Sequence, residues 1–370
     1  TVAILLGGVL FSVTEFIAPN ASAKSTRLLT TGDTKSTQWL KNLDFRHEAM
    51  GQIWHIEEYN LAQISMNLTN FEITPPHVAF EETRKQARKR GVRVTGSELV
   101  GLIPLNAIID AGRYYLKQQH RSIGIPTKDI IHIAVKSMGL DDLSPFDSKE
   151  KIIEYRIKNL YGPLISNTVH AFADELSSDS PAPGGGSVSA LSGTLAASLT
   201  AMVANLTFGK KIWDPLYEEM CHLSQNSQYL KERLLNLIDA DTEAFNHVLD
   251  AYRMPQNTEN QVSLRNKTIN DAMKEASNIP LKTLQCCREV MNYAQEAAES
   301  GNPNSVTDAG VAAEMANAGA QGAALNVKVN LNEINDTKYC KKMNKLTDKL
   351  IKETEETLAI IREIVIEKLS

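Results

Sequence analysis

An α/β unit followed by an all-helical bundle is the fold class the sequence predicts, on three observations. Apolar Ala62, Ile64, Met66 and Leu68 alternate with polar Gln63, Ser65, Asn67 and Thr69, the two-residue period of a half-buried strand. Strand and helix signals then take turns as far as Tyr155. From Thr168 to Ser370 no such alternation recurs, and apolar residues return at helical spacing, as in Met343, Leu346, Leu350, Leu358, Ile361, Val365 and Leu369. With 370 residues, 42% of them hydrophobic, the chain can fill two cores.

The elements follow in order. Val2 to Phe11 is apolar with no Lys or Arg before it. It reads as a buried strand entered mid-domain, not as a signal peptide. Ser22 to Arg46 is rich in Ser, Thr and Lys and reads as loop or poorly formed helix. Beyond the strand at 62–69, Pro75 and Pro76 stand where a helix starts, and Gly91 follows the run Arg84 to Arg90 where it stops. Val92 and Val94, with a turn at Gly96, suggest another strand. Pro104 opens a helix with Leu105, Ile108, Ile109 and Tyr115 as apolar positions. These make a sheet with packed helices over residues 1–155. Arg156 to Asn167 carries Gly162 and Pro163 without a period and reads as a linker. The bundle, 168–370, begins with His170 to Leu176. A long helix follows the Pro-Gly turn, then helices over Trp213 to Tyr252 and from about Gln261 onward.

Several functions are set aside by composition. A net charge of −5 gives no reason to expect nucleic acid or an anionic membrane as partner. Pro181 to Gly209 has no charged residue and is long enough to span a bilayer. It also carries Ser187, Ser189, Ser192, Thr194, Ser198, Thr200, Asn205 and Thr207, so a buried bundle helix is expected and no membrane insertion. Cys221, Cys286, Cys287 and Cys340 are too few and too irregular for a disulfide framework and read as idle thiols in a reducing compartment. The eight histidines form no paired ligand motif, and no metal site is expected.

Three motifs carry chemistry. In Ser180-Pro181-Ala182-Pro183-Gly184-Gly185-Gly186-Ser187, three glycines open an uncharged helix. They let backbone approach a ligand, and free N–H groups at the helix start bind an anion or a carbonyl oxygen. The competing reading is a tight turn capped by Ser187. In Asp239-Ala240-Asp241-Thr242-Glu243-Ala244-Phe245, the two acids point to different faces of one helix. Asp241 fills a gap in the stripe Leu234, Ile238, Phe245, Val248, Tyr252, where a carboxyl acquires a raised pKa or a satisfied buried hydrogen bond. Asp239 aligns with Glu232, Thr242 and Asn246 and is expected on a solvated face. Third, Gly301 to Gly310 contains Asn304 and Asp308 and enters a helix of small residues, ahead of Asn326, Lys328 and Asn330. Its polar residues serve as caps or as ligand contacts, and its small residues favour close helix packing.

The runs SPAPGGGSVSA, DADTEAFN, GNPNSVTDAGV and LNVKVN resemble the cyclodeaminase domain of the formiminotransferase-cyclodeaminases. IEEYNLAQISMNLTN, GVRVTGSELVGLIPLNAIIDAG and MGLDDLSPFDSKEKIIEY resemble the C-terminal subdomain of the transferase half, whose N-terminal subdomain is expected to be missing. The resemblance implies closure of 5-formiminotetrahydrofolate to 5,10-methenyltetrahydrofolate with release of ammonia, in histidine breakdown. It implies tetrahydrofolate as carrier, polyglutamylated forms included, no metal, a homo-oligomer and a cytoplasmic setting. Asp241, with Asp239, is then the catalytic candidate, and Pro183, Gly184, Gly185, Gly186, Ser187, Asn304 and Asp308 are the folate-binding ones. No histidine of the chain matches the family's transferase histidine, and His55 is expected to serve packing or surface. Two alternatives stand beside this reading: a methenyltetrahydrofolate cyclohydrolase and a non-catalytic folate-binding assembly protein.

Overall fold

A computed structural model describes residues 9–16, 49–56, 61–68, 70–89, 91, 93–157, 162–208 and 211–370. Residues 2–8 of the apolar opening, the stretch 22–46 and the His55 side chain lie outside the described set. Contacts divide the chain into two units, Thr1–Gln119 with Pro126–Leu160, and His120–Ile125 with Tyr161–Ser370.

Among its described residues the first unit holds four strands: β1 (Val9–Phe16), β2 (Ala49–Ile56), β3 (Leu61–Leu68) and β4 (Arg93–Val100). They pair antiparallel in the order β2-β3-β1-β4. The alternating residues Ile64, Met66 and Leu68 all point into the core, as period two dictates. They meet Phe80 from α1 (Pro76–Lys89), Ile108 and Tyr115 from α2 (Leu105–Gln118), and Ile131 and Met138 from α3 (Thr127–Met138). Gly91, at φ +76°, takes the left-handed conformation after α1. Gly96 corrects the expectation of a turn. It lies inside β4, where the register against β1 slips between Thr14 and Glu15, and a Cβ there would collide with the Asp142 carboxylate. Two short helices, α4 (Ser148–Lys151) and α5 (Ile153–Ile157), close this unit; Glu154 accepts the Leu105 N–H at 2.7 Å.

The second unit is an all-helical bundle. After α6 (Val169–Leu176) come α7 (Gly185–Thr207), α8 (Tyr217–Tyr252), α9 (Glu259–Ser300), α10 (Val306–Leu331) and α11 (Thr337–Leu369). α7 packs on α8, α9 and α10, and α11 lies across α9 and α10. Small residues set these distances. At Gly319 of α10 a Cβ would sit 2.8 Å from the Ser189 carbonyl oxygen and 3.1 Å from the Gly193 nitrogen of α7. The long α9 starts from a reciprocal cap: Thr258 Oγ1 accepts the Gln261 N–H at 3.3 Å, and Gln261 Oε1 accepts that of Thr258 at 3.2 Å. Among the described residues α7 is the one helix long and apolar enough to cross a membrane; most of it is buried in the bundle. None of the four cysteines is in a disulfide. Burial pushes the Cys286 thiol up to about 11 and holds Cys287 higher still.

Candidate functional site

The start of α7 is built for close approach. Gly184 is its N-cap and offers no side-chain cap, and of the first-turn donors the Ser187 N–H is met by the Asp241 carboxylate of α8. Pro183, after a cis peptide bond, is buried, and Gly185 is exposed. A Cβ on Gly184 would meet nothing within 4 Å, whereas one on Gly185 would lie 3.3 Å from Asn326 Nδ2 of α10. Gly186 is the demanding position. A Cβ on it would collide with the Asp241 carboxylate, so only glycine lets that group rest against the helix start.

Ser187, fully buried, ties this turn to α8. Its hydroxyl donates to the Ile238 carbonyl oxygen at 2.8 Å and lies 3.3 Å from Thr242 Oγ1 and 3.5 Å from Asp241 Oδ2. The competing capping role is therefore not the one it takes: Ser187 sits inside α7. Asp241 is half-buried. Burial raises its carboxyl above the ordinary value of 3.8, against the opposing pull of hydrogen bonds from the Ser187 N–H and hydroxyl. A carboxyl in this position, beside the first-turn backbone N–H groups of α7, can both bind charge and move a proton.

Asp239 corrects the expected solvated face. It is 8% exposed, because the turn at 162–167 folds back over it. Its Oδ1 accepts the Leu164 N–H at 2.8 Å and its Oδ2 that of Ile165 at 3.3 Å, while a Cβ on Gly162 would collide with the carboxylate. The C-terminal part of the expected linker is thus packed into the bundle, with Leu164 in its core. The inward stripe at the end of α8 is also smaller than expected. Ala244, Val248 and Ala251 are buried there, while Phe245 and Tyr252 are exposed.

The third motif sits at the other end of α7. The Asn302 N–H donates to Thr207 Oγ1 at 3.0 Å and its side-chain amide to the Leu206 carbonyl at 3.2 Å; Asn302 Oδ1 accepts the Asn304 N–H at 3.1 Å. Asn304 is exposed and Asp308 half-buried in the first turn of α10. The 23 residues of α7 separate this turn from Gly184–Ser187 by roughly 33 Å at ~1.5 Å per residue. Within one chain, the structure brings together Gly185, Gly186, Ser187 and Asp241, and leaves Asn304 and Asp308 apart from them.

The family model described as formiminotransferase-cyclodeaminase matches residues 168–349, and that of the formiminotransferase domain matches 38–158. The chain belongs to the formiminotransferase-cyclodeaminase family. A formimidoyltransferase-cyclodeaminase of Mus musculus is 35% identical over 311 residues, 83% of this chain and 57% of the relative. A methenyltetrahydrofolate cyclohydrolase of Methylorubrum extorquens is 39% identical over 188 residues, 51% of this chain and 90% of its own. The crystal structure of a formiminotetrahydrofolate cyclodeaminase from Thermotoga maritima matches with a TM-score of 0.50 and 27% identity, over 55% of this chain and 98% of that one. The chain therefore spans little more than half the length of its bifunctional relative, while matching the single-function proteins almost whole. Within this member of the family, Thr242 and Asn326 join the site although sequence reasoning gave them no role. Asn326 had a signal, a polar residue seven positions from Gly319 on a helix of small residues.

Proposed function

We propose that the helical unit is a formiminotetrahydrofolate cyclodeaminase. The observation that carries this reading is the desolvated carboxyl of Asp241 held against the glycine start of α7. Ring closure begins when the nitrogen at position 10 of the folate attacks the carbon of the formimino group, whose imino nitrogen is protonated, forming a carbon–nitrogen bond. Asp241, as carboxylate, takes the proton from that nitrogen and then gives it to the amino group. The carbon–amine bond breaks with its electron pair leaving on ammonia, and the methenyl cation remains. No net proton is gained or lost. A carboxyl tuned upward suits both transfers near neutral pH. Backbone N–H groups at the start of α7 bind a folate carbonyl or carboxylate and orient the ring.

The cyclohydrolase relative favours a second reading, hydrolysis of the methenyl ring. Purified chain given 5-formiminotetrahydrofolate should release ammonia in step with methenyl product. Release of ammonia at the uncatalysed rate, with rapid hydrolysis of added methenyltetrahydrofolate, would favour the cyclohydrolase instead.

For the first unit we propose the C-terminal subdomain of a glutamate formiminotransferase over residues 1–155, without turnover by these 370 residues, since no histidine here matches the transferase one. Tetrahydrofolate, polyglutamylated forms included, is the proposed substrate carrier, and four cysteines too irregularly spaced for a disulfide framework support a proposed cytoplasmic setting.

A further inference from the structure

Phe245 is exposed although it stands on the inner row of α8. Leu234 of that row is fully buried, and a Cβ on Gly193 of α7 would lie 3.0 Å from its Cδ2. Asp241 follows about two turns later and Phe245 about three, at ~3.6 residues per turn, so all three face the same way. Asp241 duly meets Gly186. As α8 runs from Leu234 to Asp241, its contacts on α7 run backwards from Gly193 to Gly186, so the two helices are antiparallel. α7 begins at Gly185, and the next turn of α8 has no α7 opposite it. That is why Phe245 is 36% exposed where Leu234 is at 0%. Its ring lies beside the space into which the first-turn N–H groups of α7 point, one turn beyond the Asp241 carboxyl.

We infer that Phe245 stacks on the p-aminobenzoyl ring of the folate while Asp241 works at the nitrogen at position 10; this rests on the cyclodeaminase reading above. The chemistry selects this ring over the pterin. The nitrogen at position 10 is bonded directly to the p-aminobenzoyl ring, so a carboxyl serving that nitrogen has the ring beside it. Residues four apart on a helix set their Cβ atoms about 5–6 Å apart, the reach from such a carboxyl to the attached ring. A phenyl side chain offers an apolar face and no hydrogen bond. The p-aminobenzoyl ring needs no more, whereas the pyrimidinone edge of the pterin carries donors and acceptors that are costly to bury without polar partners. Such partners stand at the start of α7, in its backbone N–H groups and in Asn326. The other exposed aromatic rings of α8 are already covered: Arg265 lies over Tyr252 at 5.7 Å and Arg233 over Tyr229 at 5.6 Å. Among the described residues no cation or second ring lies against Phe245.

Calorimetry and ultraviolet absorption with 5-formyltetrahydrofolate, a stable analogue of the substrate, test this on the full chain. Phe245→Leu should bind the analogue roughly 2- to 12-fold more weakly than the parent, the range for an aromatic pair. Phe245→Tyr should bind as the parent does, and so should Tyr229→Leu, which removes an exposed ring elsewhere on α8. At saturation the absorption band of the p-aminobenzoyl group should be weakened by stacking in the parent and in Phe245→Tyr, and restored in Phe245→Leu. A merely structural role would not produce that change. In turnover the loss in Phe245→Leu should fall on KM rather than kcat, because stacking is the same in ground and transition states. Equal affinity in the parent and Phe245→Leu overturns the ring contact, and so does a parent that binds none of the analogue. Weaker binding by Phe245→Leu without a change in the band overturns it too, for then the side chain acts through packing. A parent that binds the analogue yet releases no ammonia fails the cyclodeaminase reading alone, and the binding comparison still decides the contact.

Discussion

Replacing Asp241 by Asn keeps the shape of the side chain and an oxygen for the Ser187 N–H while removing the group that titrates. Proton transfer by a placed side chain contributes ~10²–10⁴ in rate. At ~1.4 kcal/mol per tenfold, the variant should lose about 2.8–5.6 kcal/mol of transition-state stabilisation. Because the backbone donors at Gly184–Ser187 are untouched, KM for formiminotetrahydrofolate should stay within a few-fold and the loss should fall on kcat. Ammonia release across pH reads this directly. In the parent, kcat should rise with pH through a midpoint above 3.8, the ordinary aspartate value, since burial raises this carboxyl and the base is its ionised form. The variant should lack that limb.

Folding stability should move in the opposite sense. A carboxyl with a raised folded pKa binds more protons folded than unfolded, so its ionisation lowers stability as pH rises through 3.8 and above. Asp241→Asn should therefore melt at or above the parental temperature at neutral pH, and the difference should vanish below pH 3.8. A variant that deaminates at the parental rate refutes the reasoning. So does one whose loss is all in KM, for then Asp241 binds rather than transfers.

Asp239→Asn should behave differently, losing ~1–3 kcal/mol of stability by chemical denaturation as an amide donor faces the Leu164 or Ile165 N–H, with kcat near parental. Gly186→Ala would press a methyl group into the Asp241 carboxylate. Its kcat should fall at least tenfold while circular dichroism stays helical, and parental kinetics would show that the close contact is dispensable. Gly319→Ala, facing the Ser189 carbonyl and Cys287 Sγ at 2.8 and 2.9 Å, should lower stability by ~1–3 kcal/mol through overpacking between α7 and α10; an unchanged melting temperature would count against it.

What was legible in the sequence was local. The alternation at Ile64, Met66 and Leu68 reports a half-buried strand because side-chain direction there depends only on the parity of the residue number. Gly91 behind a charged run reports a helix end because few other residues take φ +76° without strain. The failures all involve partners distant in sequence. Gly96 reads as a turn until β1 supplies the strand against which β4 slips. Phe245 and Tyr252 read as inward because their spacing fits a stripe, yet the face that packs there is lined by Ala244, Val248 and Ala251. Small residues win because α8 lies close to its neighbours, and closeness is a property of the assembled bundle rather than of one helix. Asn304 and Asp308 share a candidate role with the glycine loop in the sequence, and only the folded length of α7 shows how far from it they stand within one chain.

The two acids of α8 differ in what their carboxylates meet. Two residues apart on a helix, they must face different neighbours. Asp239 meets a turn whose backbone offers two N–H groups, 75 and 74 residues away in sequence, and both oxygens are engaged. A carboxylate so held has both oxygens turned to the backbone of its own chain. Asp241 meets the start of α7, where Ser187 gives its hydroxyl chiefly to the Ile238 carbonyl at 2.8 Å and stands 3.5 Å from the acid. Desolvation outweighs what hydrogen bonding remains, and the acid is left less stable in its charged form than in water. That imbalance is what a proton carrier requires. Burial is deeper at Asp239, so depth does not separate the two acids. What differs is that both oxygens of Asp239 accept backbone N–H groups of one turn, whereas the Ser187 hydroxyl stands 3.5 Å from Asp241 and is given to Ile238.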